Sequence, residues 1–581
     1  METRVCQNCK NDFVVTSTDF DFYGKMNVPA PTFCPDCRLQ RRLSFRNERS
    51  LYKRPCDMCG VSTISMYDPE AGITSYCGEC WWSDKWDATT YGKEYDFSKS
   101  FFSQLAELIK KVPYQHLAVS YKTLENSSFT NMNHALKNCY YLFNSDYNES
   151  CMYGEEVERS RDSVDVTMIE GTQMGYESLN CNKCYEIYYS VDCESSHNTW
   201  FSKNLSGCSS CFGCINLRNQ SYCIFNEQFS KDEYAEKIKE FNLGSHSFVA
   251  DMKKQVRDFW LQFPHKYMHG LQNLNSTGDY IYNSKFSDNS FIVNESEYCK
   301  YCMWLIIKGN KECYDFTQFG ENTERVYESL TCGKNISDII GCVNSIEARA
   351  LRYCLYLFNN NNNCFGCVGL RGKQYCILNK QYSKEEYDEL IPKIIEQMKM
   401  MPYIDSKERG YSYGDFMPIE ISQFAYNETS AQEFFPITKD FAEGNGFPWK
   451  NRKIKNYEIT HSPEELPDDI LEIDDDIVSA IIGCAHKGEC NDQCATAFRV
   501  TAQELQFYRA HSLPLPRLCP NCRHYMRVVD RNPNKLWHRA CMCENSHPHH
   551  EGKCLNQFET AYSPDRAELV YCEACYQAEV I

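Results

Sequence analysis

A chain of 581 residues with 42% hydrophobic content is long enough for several buried cores. Its net charge of −18 opposes blanket binding to polyanions, because repulsion from the whole molecule resists approach to a phosphate backbone. The start, METRVCQNCK, has no apolar leader core, and no stretch reaches the length of a membrane span. A cytoplasmic location is therefore expected, where thiols stay reduced and the 36 cysteines read as metal ligands or buried side chains rather than disulfides.

From the N-terminus, Cys6-x-x-Cys9 is followed by Cys34-x-x-Cys37, and Cys56-x-x-Cys59 by Cys77-x-x-Cys80. Two short knuckles at such separations converge four thiolates on one tetrahedral zinc and leave no coordination position for water, as in a structural site. Residues 1–50 and 51–95 thus read as two zinc ribbons. A helical stretch within 96–120, SKSFFSQLAELIKKV, stops at Pro113 and is placed to cap the start of the central region.

The middle of the chain is duplicated. CFGCINLRNQSYCIFNEQFSKDEY, residues 211–234, matches CFGCVGLRGKQYCILNKQYSKEEY, residues 364–387. In the second copy Cys332, Cys342, Cys354, Cys364 and Cys376 alternate short and long steps, which taken every other one suggests a 22-residue coil stacking on itself. Aromatic and β-branched runs such as NCYYLF and YCLYLF, broken by Asn, Ser, Asp and Gly, make the coil a β one. The expected fold is mainly β: a duplicated right-handed parallel β-helix-like solenoid (121–228 and 266–380) with short capping helices, flanked at both ends by tandem zinc ribbons. Cys211-x-x-Cys214 and Cys364-x-x-Cys367 lack a second pair at ribbon spacing and read as a buried ladder before metal or redox pairs. Each copy ends in a capping-box signal, Ser230 with Glu233 and Ser383 with Glu386, opening helical stretches in 229–265 and 381–400. Residues 401–483, with EELPDDILEIDDDI, read as an acidic connector, an extended wrapping segment or linker.

The C-terminal segments 484–535 and 536–581 repeat the ribbon pair. CKNDFVVTSTDFDFYGKMNVPAPTFCPDCR, from Cys9, aligns without a gap to CATAFRVTAQELQFYRAHSLPLPRLCPNCR, from Cys494. The third site is read as Cys490, Cys494, Cys519 and Cys522, with Cys484 a spare. The fourth is Cys554, Cys572 and Cys575 with Cys543 or Cys541; His547, His549 and His550 could supply a ligand instead, against the commoner reading of a solvated loop. The cofactor expected is structural zinc, about four ions. The run C-x2-C, Phe, Phe-Tyr, Pro, C-P-x-C-R resembles the treble-clef-type zinc-binding domain, and the whole chain resembles multi-zinc-ribbon hypothetical proteins of small-genome uncultured bacteria. That resemblance implies zinc ribbons and carries no demonstrated activity.

No phosphate-cradling glycine loop, nucleophile elbow or zincin motif occurs. Asp162, Asp165 and Asp192 are candidates for the acidic cluster of a carbohydrate-active β-helix, against the commoner role of aspartate as a turn former. Arg38, Arg41, Arg42, Arg46, Arg49, Lys53 and Arg54, interleaved with Phe45 and Tyr52, have the chemistry for RNA or single-stranded DNA. They equally suit an internal clamp on the acidic connector. The favoured reading is a non-catalytic interaction scaffold with a protein partner or self-association, and nucleic-acid binding is the alternative.

Overall fold

The computed structural model describes residues 1–451 and 457–580, so residues 452–456 of the connector and the last residue of the fourth ribbon segment lie outside the description. The architecture is mainly β, with two stacked β-solenoid copies between cysteine clusters at the two chain ends.

The coil results from one backbone choice. From Asn126 to Phe225 every third residue, without a break, has a positive φ of about +43° to +67°. Each such residue turns the chain sharply, so two extended residues and one left-handed residue make one short side. Parallel pairing such as Val164↔Tyr176 and Tyr185↔His197 advances 12 residues, so four of these sides close one coil. In the second copy one-residue additions stretch some coils to 13, as in Asn310↔Thr323 and Ala348↔Asn361. The coil is therefore not the 22-residue unit suggested by cysteine spacing. That spacing mixes cysteines from different sides: Cys354 stacks on Cys342, while Cys364 pairs with Cys376.

So narrow a coil admits only small or slender side chains inside, again one per three residues. Cys181, Cys184, Ile187, Ser190, Cys193, Ser196, Thr199 and Ser202 point inward in succession and are all buried. Interior polar groups must find partners, and here the side chain of one coil serves the backbone of the next. The Ser202 N–H donates to Ser190 Oγ (3.1 Å), Cys214 N–H to Ser202 Oγ (3.1 Å) and Asn226 N–H to Cys214 Sγ (3.4 Å). The second copy repeats the file: Cys342 N–H reaches Ser329 Oγ (3.4 Å), Cys354 N–H reaches Cys342 Sγ (3.3 Å) and Asn379 N–H reaches Cys367 Sγ (3.5 Å). Asn226 and Asn379 close the files by accepting from Ile215 and Val368. Cys211, Cys214, Cys364 and Cys367 donate from Sγ to backbone carbonyls inside the coils.

Each copy ends by folding its last strand back antiparallel, Glu227–Gln228 on Ser221–Ile224 and Lys380–Gln381 on Gln374–Ile377. This closes the open edge against further pairing. Both capping boxes then start the helices Lys231–Ile238 and Lys384–Met400. The helix Phe101–Lys111 does not cap the start of the first copy. Its Phe101 packs instead on Tyr353 and Phe365, on the outside of the second copy. The described part of the connector packs along other elements: Tyr411, Phe416, Met417 and Tyr426 are buried, and Asp468 caps the helix His246–Trp260 through Ser247 N–H.

The two copies are joined at His269. Its Nδ1 lies 2.9 Å from Asp279 of the second copy, its Nε2 3.4 Å from Asp192 of the first, and its ring stacks on Tyr280. Burial disfavours the imidazolium, yet Asp279 and Asp192 raise its pKa from 6.5 to about 10.

Both the cysteine file and the His269 junction are open to test. Cys342→Ser keeps an acceptor for the Cys354 N–H and should hold its denaturation midpoint. Cys342→Val, similar in size, leaves that N–H unpaired and should lower stability by about 1–3 kcal/mol. The stability supplied by protonated His269 is fully present below pH 6.5 and is lost as pH rises through about 10. The melting temperature of the parent chain should therefore fall toward that of His269→Gln between those limits, and a difference that does not change with pH would refute the assignment.

Candidate metal centres

Each ribbon is a short antiparallel hairpin followed by a helix. The hairpins are Glu2–Val5 with Asp12–Val15, Tyr52–Pro55 with Ser62–Ser65, Ile482–Gly483 with Ala497–Phe498, and Trp537–Ala540 with Gln557–Thr560. The helices are Pro35–Leu43, Gly78–Trp81, Pro520–Val528 and Glu573–Val580. The first cysteine of every set comes directly after the first strand. Cys34, Cys77 and Cys519 occupy helix N-caps, where unpaired backbone N–H groups and the helix dipole favour thiolate.

Four all-cysteine sets result: Cys6, Cys9, Cys34 and Cys37; Cys56, Cys59, Cys77 and Cys80; Cys484, Cys494, Cys519 and Cys522; and Cys541, Cys554, Cys572 and Cys575. One hydrogen bond recurs in all four, from the N–H of the third cysteine to the Sγ of the first. It spans 3.2 Å for Cys34 to Cys6 and Cys77 to Cys56, and 3.3 Å for Cys519 to Cys484 and Cys572 to Cys541. Neighbouring sulfurs stand 3.5 to 4.0 Å apart. With metal–sulfur bonds of ~2.3 Å, a tetrahedron has S···S edges of about 3.8 Å. The residues present therefore fit a tetrahedral four-thiolate ion.

Two ligand assignments are corrected. Cys484 replaces Cys490, and Cys541 replaces Cys543, because only a cysteine at the end of the first strand reaches the recurrent N–H bond. In the C-terminal ribbons the knuckle between first and second ligand is enlarged, so the C-x-x-C rule points to the wrong partner. The signal that would have found the right ones is the short strand ahead of each, IIG before Cys484 and WHRA before Cys541, as ETRV precedes Cys6. Cys490 and Cys543 lie nearby, Cys490 Sγ at 3.7 Å from Cys522 Sγ and Cys543 Sγ at 3.3 Å from His547 Nε2.

The arginine run is buried. Arg38, Arg41, Arg42, Arg46 and Arg49 are at most 5% exposed. Arg38 Nε donates to Asp315 (2.8 Å), Arg41 grips both oxygens of Glu328 (2.7 and 2.9 Å), Arg42 lies 3.4 Å from Asp315, Arg46 pairs with Glu48, and Arg49 donates to Glu155 (2.8 Å). Arg54 is held by Asp57, which leaves Lys53 as the only exposed one of the seven. These residues accordingly have no surface to offer a nucleic-acid backbone. They form a clamp, but not on the connector: Asp315 and Glu328 sit at equivalent left-handed turns of adjacent coils in the second solenoid copy.

The C-terminal ribbon does the same to the first copy. Arg523 and Arg527 both bond Asp165, at 3.1 and 2.9 Å. Arg531 and His524 use a connector carboxylate, Glu433, and Arg509 pairs with another, Asp475. The N-terminal ribbon thus grips carboxylates of the second copy, with Arg49 reaching Glu155 of the first, and the C-terminal one grips Asp165 of the first, with Asn532 reaching Asp279 of the second. Trp81 packs on Phe358 of the second copy and receives Arg371 on its carbonyl, while the Tyr576 hydroxyl contacts Asn204 and Asn216 of the first. Asp165 is committed to this clamp and Asp192 to His269, so they do not join Asp162 in a free acidic cluster.

Comparison with known protein families, with curated proteins and with solved structures finds no match to this chain. Among the described residues no helix is long and apolar enough to cross a membrane.

Removing one side of a buried ion pair leaves an uncompensated charge, a loss of about 3–5 kcal/mol. Arg41→Leu should therefore destabilise the chain by that amount in urea, and pairing it with Glu328→Leu should restore most of the loss. Equal stability of the single and double variants would show that the pair is not coupled.

Proposed function

We propose that this protein is a zinc-binding, non-catalytic interaction scaffold in which four ions fix the ribbons and the ribbons in turn cover the two solenoid copies. The observation that carries this reading is the repeated set of four cysteines with tetrahedral sulfur separations, closed to water by a fourth thiolate. Tetrahedral four-sulfur sites suit zinc, which brings no redox chemistry of its own. The order of hairpin, knuckle and helix supports placing the ribbons with the treble-clef-type zinc-binding domains that the sequence resembles.

A protein, either another chain or a second copy, is the partner this surface suits. The arginines that could have met phosphate are turned inward, and the net charge is −18. The 36 cysteines, unbridged by disulfides, support a reducing, cytoplasmic setting.

Metal analysis of the purified chain is expected to return zinc. Stripping it with a strong chelator should open residues 1–95 and 484–580 to protease, while the middle keeps its β circular-dichroism signal. Proteolytic fragments that do not change on chelation, or another metal at full occupancy, would overturn the reading.

A further inference from the structure

The enlarged knuckles of the two C-terminal ribbons hold ligands that the four-cysteine sets do not use. In the N-terminal ribbons the first and second ligands are three residues apart, Cys6 to Cys9 and Cys56 to Cys59; in the C-terminal ones they are Cys484 to Cys494 and Cys541 to Cys554. In both places the added residues carry metal-binding side chains, and in both they gather at the fourth cysteine of the set.

Beside the third ribbon, His486, Cys490, Asp492 and Cys522 bring one ligand atom each within 4.8 Å of one another. Cys490 Sγ is 3.7 Å from Cys522 Sγ, and His486 Nδ1 is 3.4 Å from Asp492 Oδ2 without a hydrogen bond between them. Those separations match the ~3.8 Å S···S and ~3.4 Å N···O edges of a tetrahedral zinc site. Cys522 belongs to both sets. Beside the fourth ribbon, Cys543 Sγ lies 3.3 Å from His547 Nε2 and 3.4 Å from Glu579 Oε1, and those two are 3.0 Å apart. Cys543 is also within hydrogen-bonding reach of Cys575, whose Sγ is approached by His549 and His550 at 3.3 and 3.1 Å. Cys575 is the fourth ligand of its own four-cysteine set, as Cys522 is of the other.

We infer that each C-terminal centre is dinuclear. A second zinc is held by His486, Cys490 and Asp492 with Cys522 as a bridging thiolate, and another by Cys543, His547 and Glu579 with Cys575 as the bridge. A thiolate has lone pairs for two metals, and sharing one lets a second cation sit beside the first without a complete ligand set of its own. The second ions have partly exposed ligands, His486 at 33% and Asp492 at 27% of the side chain, so they are the exchangeable members of each pair. This inference rests on the zinc reading of the four-cysteine sets.

The experiment is a zinc count per full-length chain, with zinc as the only metal supplied. Six ions are expected. Cys490→Ser with His486→Ala should lower the count by one, and Cys543→Ser with His547→Ala should do the same, both without loss of the folded circular-dichroism spectrum. A parent count of four leaves the four-cysteine centres standing and overturns the second ions. A count below four overturns both readings. If a variant pair fails to fold, cobalt(II) in the unaltered chain decides. Two high-spin ions sharing a thiolate couple magnetically, so the EPR intensity per cobalt should drop as the fifth and sixth ions enter. Intensity that stays proportional to cobalt would overturn the bridges.

Discussion

The left-handed turn at every third residue governs this molecule. A non-glycine residue in that conformation sits about 1–2 kcal/mol above the right-handed alternative, and the solenoid adopts it dozens of times. The strain is tolerated because each turn also places a backbone group and a side chain over their equivalents in the adjacent coil. Asn and Asp, which visit this region most easily, recur at the turns, and some stack directly, as when Asn180 donates to Asp192 and Asn126 to Asn138. The same geometry explains the cysteine content of the middle of the chain. A side of three residues leaves an interior too narrow for leucine at every position and leaves inward N–H groups without carbonyl partners. Serine and cysteine are small, accept from the coil above and donate to a carbonyl of their own coil.

A coil this thin has little interior, so most of its burial must come from outside. Tyr314 stacked on Phe22, Tyr176 against Tyr508 and Phe212 on Phe241 are outer-face contacts with ribbons and helices. The arginines steer this cover. Three of their partners, Asp315, Glu328 and Asp165, project from left-handed turns, and both sides lose hydration on docking, so the pairs select the docking position more than they add stability. The four-cysteine sets position the helices that carry those arginines, so an ion held there would also brace the flank of each solenoid.

The metal ligands of the N-terminal ribbons were legible because all four positions lie within short spacings that zinc geometry dictates. Cys484 and Cys541 were obscured by insertions that break the spacing while keeping the strand-to-cysteine junction. The solenoid was legible as a repeat, yet its period was not. Inward positions alternate among Cys, Ser, Thr, Val, Ile and Leu, so counting cysteines alone sampled a few sides of each coil. The arginine run announced a charged contact, but its partners Asp315 and Glu328 lie roughly 280 residues away, beyond any local pattern.

The crossed docking of ribbons on solenoid copies has a consequence for synthesis. When residues 1–95 leave the ribosome, the turns that carry Asp315 and Glu328 do not yet exist. At 5–20 residues per second the interval is roughly 10–50 s. For that period Arg38, Arg41 and Arg42 lack their carboxylate partners, and a metal held by the four-cysteine sets is what can keep the shape of the two small domains. The last ribbons have the opposite history, emerging onto a first copy already stacked. A nascent chain starved of zinc would therefore fail first at its beginning, long before its sequence is complete.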